Sequence, residues 1–99
     1  LLELINLKCN NMAKKQFKIG EYAVGGIIET TIIQNLVTIK ALDYNTKESL
    51  QGRVFKIGET DSYPIMLEYL NELTSSYYAD KCMEYIQKNV KLPEGTYAW

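Results

Sequence analysis

Histidine is absent from the 99-residue chain, which excludes more chemistry than any residue present suggests. The usual general base near neutral pH and the commonest metal ligand are both missing, so neither a Ser-His-Asp nor a Cys-His arrangement can be built. There are two cysteines, Cys9 and Cys82, and two thiols without histidine cannot close a zinc site that wants four N or S ligands. Cys82 falls on an apolar helical face, where a free cysteine serves as a small hydrophobe. No apolar run approaches the ~18 residues that span a bilayer, and the basic-then-apolar layout of a secretory signal is not found. The reading is therefore cytosolic, with no membrane, cofactor or metal expected. Phosphate loops of the Walker or G-x-G-x-x-G type, calcium loops, internal repeats and low-complexity segments are also missing.

What remains is ordinary globular material, 46% apolar and 23% charged, at the size of one domain. Met12 followed by Ala13-Lys14-Lys15-Gln16 reads like a bacterial or phage start. Residues 1–11 are accordingly expected to be an upstream extension, with a short helix using Leu1, Leu4, Ile5 and Lys8 as the alternative. Residues 12–92 read as a single α+β domain and residues 93–99 as an extended tail.

From Phe17 to Ile57, β-branched and aromatic residues punctuated by Gly and Asn predict strands. The first is expected over Phe17–Val24, with a one-residue phase change at Gly20 suggesting a bulge. Gly25-Gly26 is a turn or second bulge, since a phosphate cradle there would need a following helix. The second strand, Ile27–Ile33, leads through a Gln34-Asn35 turn into Leu36–Tyr44. In that third strand Val37, Ile39 and Ala41 face one way, and Thr38 and Lys40 the other. A polar hairpin loop, Asp43 to Glu48, precedes the fourth strand, Ser49–Ile57, with a possible bulge at Gly52. Short connections throughout predict an antiparallel meander.

After Gly58 the period changes to 3.6. Glu59 to Ser62 offer N-caps, and Pro64 suits a first helical turn. Ile65, Met66, Tyr69, Leu70 and Leu73 share one face, with Leu67 outside it. After Ser75-Ser76, a second helix over Tyr77–Lys91 turns Tyr78, Ala79, Cys82, Met83, Tyr85, Ile86 and Val90 inward. Both helices are expected on one face of the four-stranded sheet.

Charge is divided unevenly. Residues 12–57 hold seven basic and four acidic side chains, net +3, while residues 58–99 hold three lysines and seven acids, net −4. Three classes of function follow. A small non-enzymatic, homo-oligomeric protein-interaction module is favoured, because tyrosine and tryptophan are enriched at interfaces. The expected dimer contacts are Met66, Leu67, Tyr77, Tyr97 and Trp99. The alternative is a single-stranded nucleic-acid binder using Lys40, Tyr44, Arg53, Phe55 and Lys56 on the sheet, although the pI of about 5.4 is far from a basic footprint. An enzyme would need a carboxylate pair, for which only Glu21 and Glu29 lie inside expected strands. Four antiparallel strands followed by a helix resemble the Whirly and transcriptional-coactivator class of single-strand binders, which dimerise through their helices. The resemblance is one of architecture; no motif of that class stands here, and the second helix departs from its simplest version.

Overall fold

The computed structural model describes residues 12–58 and 62–90. Four strands form one antiparallel sheet in chain order: β1 (Met12–Lys18), β2 (Gly26–Ile33), β3 (Leu36–Asp43) and β4 (Ser49–Lys56). Two helices follow, α1 (Ser62–Leu73) and α2 (Ser76–Asn89). No helix among the described residues is long and apolar enough to cross a membrane.

The register explains the two faces. Phe17 pairs with Ile28 and Ile28 with Ala41, while Ile32 pairs with Val37 and Val37 with Phe55. These rows alternate onto one side and join Met66, Leu70, Leu73, Ala79, Cys82, Met83 and Ile86 in a single core. Each aliphatic side chain fully removed from water there contributes about 1.5–3 kcal/mol. Phe55 against Tyr69, at 5.8 Å between ring centroids, sets α1 over β4. Phe17 against Tyr85, at 5.9 Å, sets α2 over β1. The side away from the helices carries the other parity: Met12, Ile33, Leu36 and Lys56 in one cross-strand row, then Lys14, Thr31, Thr38 and Val54.

Local chemistry fixes the connections. The β2–β3 hairpin turns on two residues, with Gln34, at φ 55°, in the left-handed conformation. Asn35 instead anchors the turn, its Nδ2 donating to the Ile57 carbonyl at 3.0 Å while the Ile57 amide donates to the Asn35 carbonyl. In the β3–β4 loop, the Thr46 and Asn45 amides both donate to Asp43 Oδ1 and hold that carboxyl below its ordinary range.

The first strand departs from expectation. β1 begins at Met12, five residues early, and the chain leaves the sheet after Lys18 for a 3-10 turn at Gly20–Tyr22. The Met12–Gln16 stretch, which reads like a translation start, belongs to an edge strand, where Lys is common. The phase change at Gly20 is this turn, not a bulge. The bulge of β4 lies at Leu50: Ala41 pairs with Gln51 and Leu42 with Ser49, leaving Leu50 extra.

The excursion between β1 and β2 docks on the helix junction. Val24 donates to the Leu73 carbonyl at 2.8 Å, Thr74 Oγ1 donates to the Tyr22 carbonyl at 2.5 Å, and Ala23 bridges to Thr74. Ser75 is extended (φ −82°, ψ 165°), so the chain forms two helices and not one continuous one.

Candidate functional site

The residues singled out for nucleic-acid binding are distributed over three surfaces. Lys40 and Lys56 lie on the open sheet face, where Lys40 pairs with Glu29 and Gly52. Arg53 and Phe55 lie on the helix side: Phe55 is 6% exposed, inside the core, with the Arg53 guanidinium 4.9 Å from its ring centroid. Tyr44 stands past the end of β3, over Gly26, on an open depression of about 340 Å³ shared with Gly20, Glu21, Ala23 and Gly25. Of the expected dimer contacts, Met66 is fully buried and Leu67 packs on the core, whereas Tyr77 is 63% exposed. Tyr97 and Trp99 lie outside the described residues, as do Cys9 and the N-cap candidates Glu59, Thr60 and Asp61. Glu21 stands exposed in the 3-10 turn. Glu29, mid-β2, has its carboxylate engaged by Gln16 Nε2 at 2.8 Å and Lys14 Nζ at 3.6 Å.

The structure assembles a different group. A cleft of about 400 Å³ between β1 and α2 is lined by Lys15, Gln16, Phe17, Lys18, Ile19, Tyr77, Tyr78 and Lys81. It adjoins a hollow of about 160 Å³ that shares Lys15, Phe17 and Lys81 and adds Glu84, Tyr85 and Lys88. Along α2, Tyr77, Lys81, Tyr85 and Lys88 recur at the i, i+4 and i+3 spacings that stack side chains on one helical stripe. Alternation in β1 sends Lys15 and Phe17 to the same side.

The contacts are those of cations on aromatic faces. Lys15 Nζ lies 4.9 Å from the Phe17 ring centroid and 5.7 Å from that of Tyr85, and Lys81 Nζ lies 5.4 Å from Tyr77. Tyr77 meets Tyr78 edge-on at 5.0 Å, and Tyr78 stacks on Tyr22 at 6.2 Å. Each such contact adds roughly 0.5–1 kcal/mol at an exposed site. Four lysines face the two hollows with Glu84 as the sole carboxylate among the lining residues, so the cleft attracts anionic groups.

Of two titratable groups nearby on α2, Tyr85 is half-buried and Cys82 buried. Burial raises the Tyr85 hydroxyl above its ordinary range. Burial also pushes the Cys82 thiol up to about 12, with the charge on Lys15 pulling weakly the other way; the thiol is protonated at neutral pH and serves as core. Among the described residues, no group of three or more Cys, Asp or Glu side chains is placed to hold a metal ion.

The α2 stripe was legible as Tyr-Lys spacing, but which strand edge it would border is a tertiary fact. No protein family matches this chain, and neither a curated protein nor a solved structure matches it.

Proposed function

We propose that this protein is a non-catalytic, homo-oligomeric protein-interaction module that takes an extended acidic polypeptide segment along the outer edge of β1. One observation carries the reading. Alternate residues of a strand point to opposite faces, so a cleft lined by the unbroken run Lys15 to Ile19 touches the strand's edge, not one face. Among the described residues β1 pairs only with β2, leaving that edge's amides and carbonyls open to an added strand. In strand addition the main chain supplies affinity and alternate side chains supply specificity. Here those side chains would enter the cleft beside Phe17, Tyr77 and Tyr78, with carboxylates reaching Lys15, Lys18 and Lys81.

A nucleic-acid strand fits less well. Its sugar-phosphate backbone lacks the amide donors and acceptors that pair with a sheet edge, and the paired rows of the open sheet face hold no aromatic side chain on which bases could stack.

The test is fluorescence anisotropy with three labelled probes: a ten-residue peptide alternating glutamate with apolar residues, its lysine counterpart, and a twenty-nucleotide single strand. The acidic peptide is expected to bind alone, with affinity falling as salt rises. Lys81→Glu and Tyr77→Ala, both at exposed positions, are expected to weaken it at least fivefold each. Oligonucleotide binding without peptide binding would replace this reading by the nucleic-acid one. Silence from all three at hundreds of micromolar would end it.

A further inference from the structure

The sheet has a second edge, and its chemistry differs. In β4, Ser49 through Val54 are exposed without interruption, and among the described residues the strand pairs only with β3. Gln51 and Arg53 belong to the helix side of the sheet, opposite Ala41 and Ile39, yet both are exposed. The helical layer therefore stops short of this half of β4, and another sheet can approach without meeting a helix.

We infer that two copies of this chain pair β4 to β4, antiparallel about a two-fold axis at Gly52, making one continuous eight-stranded sheet. The inference rests on the homo-oligomeric part of the function proposed above, and supplies its interface. The register follows from side-chain chemistry. An axis perpendicular to the sheet keeps both helical layers on one side and sets residues of equal parity opposite each other. Centred on Gly52, it brings Leu50, the extra residue of the β4 bulge, beside Val54 of the second copy, two exposed apolar side chains (52% and 62%). It also sets Gln51 opposite Arg53, and leaves no side chain on the axis itself. Centring on Arg53 would oppose two guanidinium groups, and like charges directly across a ladder destabilise it. Centring on Val54 shortens the pairing and sets Gly52 against Lys56.

The other edge cannot do this. β1 carries Lys14, Lys15 and Lys18 with no acidic residue between Met12 and Lys18, so pairing it with its own copy stacks lysine near lysine. β1 suits an acidic ligand and β4 suits itself. In the joined sheet the two β1 clefts stand at opposite ends, both open.

Sedimentation equilibrium of the full chain at tens of micromolar is expected to return the dimer mass. In a Cys9→Ser background, Gly52→Cys is expected to form an intermolecular disulfide under mild oxidant. Directly opposed residues of an antiparallel pair lie about 4.5–5.5 Å apart at Cα, within disulfide reach. Val54→Cys is expected to cross-link at least tenfold more slowly, since the two copies of residue 54 are offset by four residues, about 13 Å along the strand. Cys82, buried and protonated, gives no background. An added Cβ at Gly52 meets the Lys40 Cγ at 2.9 Å, on a flexible stem. Should Gly52→Cys fail to fold, a mixture of Gln51→Cys and Arg53→Cys chains, opposite each other in this register, takes its place with the same expected outcome. A monomer mass overturns the inference. So does a dimer that cross-links through Tyr77→Cys and not through β4. Either result leaves the peptide titration above to be judged on its own.

Discussion

Alanine at Gly25 and at Gly20 separates two costs that usually arrive together. Both glycines have φ +73°, yet a Cβ at Gly20 meets nothing within 4 Å. A Cβ at Gly25 overlaps the Leu42 carbonyl oxygen and comes within 2.9 Å of its carbon and 2.6 Å of Leu50 Cδ1. The leucine side chain can swing away; the backbone of a central strand cannot. Left-handed backbone costs an L-residue roughly 1–2 kcal/mol, offset by about 0.4–1 kcal/mol from the stiffer unfolded chain. Gly20→Ala should therefore lose about 0.5–1 kcal/mol. Gly25→Ala adds overpacking of about 1–3 kcal/mol, for a total of about 2–4 kcal/mol out of the ~5–15 kcal/mol a domain of this kind possesses. Urea melts followed by far-UV circular dichroism read the difference. With an m-value of ~1–3 kcal/mol/M, the Gly25→Ala midpoint should fall by about a molar or more, and the Gly20→Ala midpoint by well under one. Equal midpoints would refute the claim that close approach to β3, and not backbone conformation alone, requires glycine at position 25.

Three further outcomes are open to measurement. Leu70, fully buried, should cost about 2–5 kcal/mol as alanine, and a thermal midpoint lowered by less than ten degrees would argue that α1 packs loosely. Asn35→Ala removes the bond to the Ile57 carbonyl and should cost about 1 kcal/mol, visible as a modest shift of the urea midpoint. Burial raises the Cys82 thiol from 9.0 to about 12, so the unfolded chain releases this proton first as pH rises. Its contribution is complete below pH 9 and is lost toward pH 12, at no more than about 1.4 kcal/mol per pH unit. Tyr63, Tyr69 and Tyr85, raised in the same direction by burial, join above pH 10. A Cys82→Ala variant that keeps the same slope between pH 9 and 10 would show that the thiol is not responsible.

The parts of this fold that could be read from residues are those governed by periodicity. Val37, Ile39 and Ala41 alternate inward as their spacing requires, and Tyr78, Ala79, Cys82, Met83, Tyr85, Ile86 and Val90 all turn toward the core. The break at the serines is real because Ser75 is extended. What misled was local composition judged without position. Lys14 and Lys15 disguised β1, since an edge strand exposes both faces of its rim and tolerates charge that a central strand would reject. Met66 and Leu67 looked surplus on an isolated helix, but the sheet and α2 absorb them. Phe55 and Lys56, adjacent in sequence, end on opposite faces, which separated the proposed basic-aromatic set. The cleft beside β1 is not legible in the sequence for a different reason: Lys15 and Lys81 are brought together by the stacking of α2 over an edge, and no spacing in the sequence encodes that meeting.

The tie between the β1–β2 excursion and the helix junction also sets an order of events. Thr74 and Tyr22 are 52 residues apart in sequence, whereas every strand pairs with its immediate successor through a short turn or loop. Closing a loop of that length from the unfolded chain costs about 3.5 kcal/mol in its logarithmic part alone, more than two exposed hydrogen bonds return. The latch is therefore expected to close after the meander has zipped and the helices have condensed on it, when the loop left to close is short. Loosening it at Thr74 should leave the refolding rate unchanged and quicken unfolding, so that this short excursion would lengthen the life of the native state once formed.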